Sequence, residues 1–232
     1  MNRGQENDKI NDIMKLNEYI EITNEDNMAL MARYPDKYFD LAIVDPPYGV
    51  EEITGKEFSH GRGKLKNRAF NVGNEKINRW DKSPNKEYFK ELFRISKNQI
   101  IWGGNYFDLP KYRHPIVWDK CQPWVNFSQI ELAWTSFNKP ASLFKFDNRT
   151  GNKIHPTQKP VALYAWILKN YAKQGDKILD THGGSLSIAV AIHEANIIDK
   201  MDLSLVACEL DKDYFESSIQ RVKAALQNQS LF

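Results

Sequence analysis

Eight short apolar runs punctuate the 232-residue chain, and helical patterns separate several of them, which leaves few folds open. The runs are YIEIT (19–23), LAIVD (41–45), NQIIW (98–102), PIVW (115–118), IELAWTSF (130–137), SLFKF (142–146), KILD (177–180) and SLVACEL (204–210). Asn85 to Ile95 sets Tyr88, Phe89, Leu92 and Ile95 on one helical face. Pro160 to Lys173 opens on proline and stops before Gly175, as a helix does. Ser187–Asn196 and Asp213–Gln227 also read as helices. Strands alternating with helices predict an α/β fold, a mostly parallel sheet with helices on both faces. Ligands then bind at the carboxyl ends of the strands. Neither a repeat nor a linker divides residues 1–232, so a single domain is expected.

Composition bounds the classes. Apolar residues at 41% and charged residues at 27% are ordinary for a water-soluble chain, and no apolar run nears the roughly 20 residues of a membrane span. The opening MNRGQENDKINDI lacks the apolar core of a signal peptide, so a cytoplasmic location is expected. Cys121 and Cys208 lie far apart without metal-ligand spacing, so neither a disulfide framework nor a metal site is expected. A net charge of +2 decides nothing, but its distribution does. Between Lys56 and Arg68 five basic residues face one acid, with glycines among them. Such a stretch is either a solvated loop or a phosphate-binding one.

The run LAIVDPPYGV (41–50) combines an apolar strand, an acid, two prolines and an aromatic ring. Proline donates nothing to a ladder and fixes its own φ, so the chain must leave the sheet there in a stiff turn. Asp45 therefore stands at the ligand-binding edge. The KILD run repeats the logic: Asp180 ends it, and Thr181-His182-Gly183-Gly184-Ser185-Leu186-Ser187 leads into a helix. Glycines permit close backbone approach, and a strand-end acid accepts from an ammonium or hydroxyl. The following strand ends on Glu209, where an acid takes ribose hydroxyls or merely caps the next helix.

With DPPY ahead of this unit and HPTQKP (155–160) directly before it, the chain resembles the DNA amino-methyltransferases. It is similar to the permuted class in which the catalytic motif precedes the S-adenosylmethionine motif. The resemblance runs from about Tyr19 to Tyr214 and implies a Rossmann-like methyltransferase domain that uses S-adenosyl-L-methionine. It implies that Asp45, Pro46, Pro47 and Tyr48 are catalytic. His155, Thr157 and Lys159 would wall the methionine end of the cofactor, and Asp180, His182, Gly184, Ser185 and Ser187 would form its cradle. Glu209 would hold the ribose, and Asp26, in ITNEDNM, would lie near the adenine of the cofactor. The family usually has D-P-F-x-G-S-G-T in the cradle. Here Thr181, His182, Leu186 and Ser187 depart from it, so Leu186 needs a backbone that a non-glycine residue adopts.

The chemistry implied is methylation of an exocyclic base amine. Its lone pair is delocalised into the ring, so Asp45 and the Pro46 carbonyl would accept its hydrogens and turn the lone pair toward the methyl group. Tyr48 would stack on a base flipped from the duplex. The partner is double-stranded DNA, held through Arg62, Lys64, Lys66 and Arg68 in the 51–80 insertion. Segments within 121–153, with Trp124, Phe127, Lys139, Lys145 and Arg149, are candidate recognition pieces. They are short, so a short site or a homodimer is expected. Trp102, Asn105 and Tyr106 either line the base pocket or pack the sheet, Trp118-Asp119-Lys120 resembles a family segment near it, and His114 and His193 read as packing. DPPY favours adenine N6 as acceptor. Cytosine N4, or a nucleic-acid-binding relative without catalysis, stand as the alternatives.

Overall fold

The computed structural model describes residues 12–49, 82–123, 128–147 and 158–228. They form one nine-stranded sheet, in spatial order β1-β2-β9-β8-β3-β4-β6-β5-β7. The strands are β1 Asp12–Lys15, β2 Ile20–Asn24, β3 Phe39–Val44, β4 Ser96–Trp102, β5 Ile116–Asp119, β6 Ile130–Thr135, β7 Ser142–Lys145, β8 Lys177–Asp180 and β9 Ser204–Glu209. The helices are α1 Asn27–Ala32, α2 Lys86–Ile95, α3 Val161–Tyr171, α4 Ser187–Ile198 and α5 Lys212–Asn228. β2, β9, β8, β3 and β4 are mutually parallel, whereas β1 and β6 run against their neighbours.

Each central strand is buried on both faces, which is why it reads as a continuous apolar run rather than an alternation. Leu41 and Ile43 pack with α3, α4 and α5 on one side. Ala42 and Val44 pack with α1 and α2 on the other. All eight sequence-predicted strands and all four predicted helices are present, with ends shifted by a few residues. Two elements went unread. β1 is a four-residue edge strand, and α1 is a six-residue helix whose start is set by its cap, Asp26, rather than by periodicity.

The topology positions the site. From β8 the chain crosses through α4 to β9 on one side, and from β3 through α2 to β4 on the other. The order reverses between β8 and β3, which pair in parallel through Leu41↔Ile178 and Ala42↔Leu179. A crevice opens beyond the carboxyl ends of two such strands. Asp180 closes β8 and Asp45 follows directly on β3. The fold thus sets the two strand-end acids side by side.

Candidate active site

Asp45 sits within a buried cluster of charges. Its Oδ1 accepts from the Tyr48 hydroxyl at 2.8 Å, and its Oδ2 is paired with the Lys159 ammonium. Lys159 Nζ also lies 3.1 Å from Glu131 Oε2 and donates to Tyr48 Oη at 3.3 Å. Glu131 Oε1 in turn meets Lys120 Nζ at 2.5 Å. Beneath the ammonium lie the Trp102 ring, 5.2 Å from Nζ, and the Tyr48 ring at 5.9 Å. Burial pushes the Asp45 carboxyl up; Lys159 opposes this and Glu131 adds to it. Burial works against the Lys159 charge, yet Asp45 and Glu131 outweigh it and hold that pKa above its ordinary value. Glu131 is also penalised by burial, but Lys159 and Lys120 keep it below the usual carboxylate range.

Lys159 is therefore placed differently from the expectation. The HPTQKP resemblance put it against the cofactor, whereas its side chain faces Asp45. Only its backbone reaches the glycine turn, the Lys159 carbonyl accepting from Ser187 Oγ at 2.8 Å. Tyr48, expected to stack on a base, stacks on Tyr106, with ring centroids 5.0 Å apart and planes 16° from parallel. Gly103 makes that placement possible. It adopts φ +69, and a Cβ there would stand 2.2 Å from Tyr48 Cε1. Of the two readings of IIWGGNYF, Trp102 supports the core and the exposed Tyr106 supports the pocket.

Across the crevice, the turn after β8 is tied down from several sides. Gly183 N–H donates to the Cys208 carbonyl at 2.8 Å, and a Cβ on Gly183 would lie 3.2 Å from that oxygen. Gly184 N–H donates to Glu209 Oε2 at 2.8 Å, Ser185 Oγ meets Ser187 Oγ at 3.1 Å, and Arg221 donates to the Ser185 carbonyl at 2.6 Å. These ties impose φ +52, ψ +34 on Leu186, a left-handed conformation. The departure from glycine at this position thus demands a left-handed backbone of a leucine. A left-handed leucine costs about 1–2 kcal/mol, and burying its side chain completely in the core offsets that cost.

Glu209 bridges the turn and does not cap the next helix. Its Oε1 accepts from Asp211 N–H at 2.9 Å, while Asp211 Oδ1 accepts from Asp213 and Tyr214 N–H at the start of α5. A carboxylate has about four acceptor positions, and the N–H groups of Gly184, Asp211 and Leu210 leave about one for a hydroxyl donor. Asp180 Oδ1 accepts from His182 N–H at 3.0 Å, and its carboxyl is pushed up to about 7, chiefly by burial, with Asp45 and Glu209 adding to it.

His182 is held by Asn27 Nδ2 at 3.0 Å on Nε2 and by Thr181 Oγ1 at 3.0 Å and Tyr88 Oη at 3.4 Å on Nδ1. Burial lowers its pKa to about 3, so the ring is neutral. Thr181 and His182 thus form a polar network anchored on α1 and α2. Asp26, expected near an adenine, caps α1 by accepting from Met28 and Ala29 N–H at 2.8 and 3.2 Å.

Other expectations divide. His155 and Thr157 lie outside the described residues, as do Arg62, Lys64, Lys66 and Arg68, Trp124 and Phe127, and Arg149. Lys139 stands over the Phe137 and Tyr171 rings, near the end of β6 and the end of α3. Because β6 is antiparallel, that is the sheet edge opposite Asp45, and Lys139 is removed from the recognition candidates. Lys145, at the end of β7, is on the same edge as Asp45 and lies 3.9 Å from Asp119. His114 and His193 are buried packing residues, hydrogen-bonded to Tyr171 and Tyr19. Glu131 and Tyr88 were missed, because an acid inside an apolar strand and a tyrosine on a helix carry no motif.

Among the described residues no helix is long and apolar enough to cross a membrane, and no group of three His, Cys, Asp or Glu is placed to hold a metal ion. A family model described as DNA methylase matches residues 117–220. Among solved structures, PvuII DNA methyltransferase (cytosine-N4-specific) is similar at TM-score 0.57 and 15% identity, over 91% of this chain and 94% of that one. The M1.HpyAVI–SAM complex is similar at TM-score 0.53 and 18% identity, over 88% of this chain and 98% of that one. The chain therefore has the α/β, Rossmann-like fold of DNA methyltransferases.

Proposed function

We propose that this protein transfers a methyl group from S-adenosyl-L-methionine to the exocyclic N6 amine of an adenine flipped out of double-stranded DNA. One observation carries the reading: the Asp45-Pro46-Pro47-Tyr48 turn and the Asp180–Gly184–Glu209 cradle flank the same crevice, at the point where strand order reverses. The residue set suits the cofactor. Asp180 is a buried carboxylate for a cationic ligand, the glycine turn lies close against β9, and Glu209 keeps an acceptor position for a ribose hydroxyl. When bound, S-adenosyl-L-methionine supplies a methyl group on a sulfonium, whose sulfur keeps the bonding electrons as the methyl leaves.

The rest is done by the chain. Asp45 accepts a hydrogen bond from the base amine beside the Pro46 carbonyl, and the nitrogen lone pair is freed from the ring. As the N–C bond forms, the nitrogen carries one proton too many, and the Asp45 carboxylate is the acceptor facing it. Alignment and fixed charge supply the rate. Tyr48 and the exposed Tyr106 already form a ring stack that a flipped base extends or enters. Adenine is favoured because DPPY resembles the motif of adenine enzymes and SPPY that of cytosine enzymes. The DPPY carboxylate also accepts more strongly than the SPPY hydroxyl, and a purine offers the rings a wider face. The similar PvuII enzyme is cytosine-N4-specific by its own description, which keeps cytosine N4 as the second reading. Incubating DNA with labelled cofactor and resolving the nucleosides by mass spectrometry decides between them. N6-methyldeoxyadenosine supports the proposal, N4-methyldeoxycytidine moves the acceptor, and no methylated base refutes transfer.

Two cofactor predictions follow from the cradle. Glu209→Ala removes an acceptor of ribose hydroxyls and frees the Gly184 N–H, at a cost of about 1.5–3 kcal/mol. Calorimetry should therefore show S-adenosyl-L-methionine binding at least about tenfold more weakly. The second prediction concerns pH. Asp180 titrates near 7 in the folded chain and near 4 when unfolded, so the ligand-free protein loses stability as pH rises through that window. A cationic ligand prefers the carboxylate, so affinity should rise between pH 6 and pH 8, with proton release on binding at pH 6. Titrations in buffers of different ionisation enthalpy measure that release. A pH-independent affinity without proton release would place the cation elsewhere.

A further inference from the structure

We propose that Glu131 is a positioning residue for methyl transfer, acting through Lys159 to hold Asp45 as an acceptor for the base amine. The proposal rests on the function proposed above, and its evidence is a row of alternating charges. Asp45, Lys159, Glu131 and Lys120 follow one another across β3, the entry to α3, β6 and β5. The Lys159 side chain is only 3% exposed, so its charge is answered inside the protein or not at all.

Charge counting says what Glu131 does. If Lys159 had Asp45 as its sole partner, the two would form a closed ion pair, and a neutralised carboxylate accepts weakly from a neutral amine. Glu131 divides the ammonium between two acids, and the buried trio carries a net negative charge that the partly exposed Lys120 balances at its rim. Asp45 is thereby left with acceptor strength. The pull from Glu131 is chiefly Coulombic, with a weaker hydrogen-bonding part, Oε2 being buried 3.1 Å from Nζ. An ammonium has three donors, and here they reach Asp45, Tyr48 and the Glu131 side. Trp102 and Tyr48 give it a π-face floor.

Lys159 has a second attachment. Its carbonyl holds Ser187 Oγ at the start of α4, so one residue touches both the acid of the base site and the turn of the cofactor cradle. Glu131, anchored on β6 opposite Trp118, fixes the side-chain half of that link. The other ionisable groups facing Asp45 are Tyr48 from its own turn, Tyr88 from α2, Tyr164 from α3 and Asp180 from β8.

The test compares wild type, Glu131→Gln and Glu131→Asp by two readouts. The first is kcat against pH, with cofactor affinity measured alongside. The second is titration of the Asp45 carboxyl by 13C NMR, assigned with Asp45→Asn, which needs no substrate. With the Glu131 charge gone, one cause of the raised Asp45 pKa disappears. Glu131→Gln should therefore move both the acid limb of kcat and the Asp45 titration to lower pH. It should lower kcat about tenfold or more while cofactor affinity stays within about twofold, and Glu131→Asp should recover part of kcat. An Asp45 titration and acid limb that stay at their wild-type positions would overturn the proposal, even if kcat falls with stability. Should wild type methylate no DNA, the proposed function fails by itself. The NMR titration then still decides whether Glu131 governs Asp45.

Discussion

Asp45→Ala is expected to lower methyl transfer by at least about a thousandfold, the upper range for losing one preorganised polar group from a reacting centre. Binding of S-adenosyl-L-methionine should stay within about tenfold, or 1.4 kcal/mol. The cofactor cradle hangs on β8, β9 and α5 through Gly183, Gly184, Ser185 and Glu209, none of which is hydrogen-bonded to Asp45. The variant should also fold, because Lys159 keeps Glu131 as an ion-pair partner when Asp45 is removed. A tritiated-methyl transfer assay with calorimetry on the same preparation gives both numbers. Transfer near the wild-type rate would remove Asp45 from the mechanism. Equal loss of transfer and of cofactor binding would mean that it acts on the cradle.

Lys159→Met should have the largest effect on stability. The substitution keeps an apolar stem and deletes the charge between two carboxylates, leaving Asp45 and Glu131 to face each other without it. Breaking a buried pair by removing one partner costs about 3–5 kcal/mol. The sign with pH follows from the shifts. In the wild type Lys159 is raised, so its contribution is complete at neutral pH and is lost only in strong alkali. In the variant Asp45 is desolvated without its cation, while Glu131 keeps Lys120, so the folded pKa of Asp45 lies above its unfolded one. The variant's stability should therefore be greatest at acidic pH and fall as pH rises from about 4. Urea denaturation at pH 5 and pH 8 should show a larger loss of stability with rising pH in the variant than in the wild type, whose own loss comes from Asp180 and the raised Asp45. A loss that is equal at both pH values would mean that packing of the stem, rather than the charge, holds the site.

The layering of the chain was legible because both faces of the central strands are covered, so their runs are continuously apolar, as in LAIV and KIL. The rigid exit of β3 was legible because consecutive prolines permit little else. Boundaries and short elements were not. α1 depends on the Asp26 cap, and β1 on pairing with β2. Asp26 and Lys159 show the limit of assigning a side chain from its motif. Each lies at the expected place in the chain, yet one caps a helix and the other turns to Asp45.

By itself the sequence determined eight of the nine described strands, that Asp45 follows one and Asp180 ends another, and that a glycine turn precedes α4. These are properties of residues a few positions apart, governed by periodicity, proline geometry and glycine freedom. Tertiary structure alone decided which charges meet. The reversal of strand order brings β3 beside β8, and the antiparallel return of β6 carries Glu131 to the carboxyl edge while sending Lys139 to the opposite one. Lys159, Glu131 and Asp45 are separated by 28 and 86 positions along the chain. Coulombic pairing depends on distance in space, and burial then makes each pairing obligatory. A buried ammonium takes whichever carboxylates the fold delivers to it, and no local pattern records which those are.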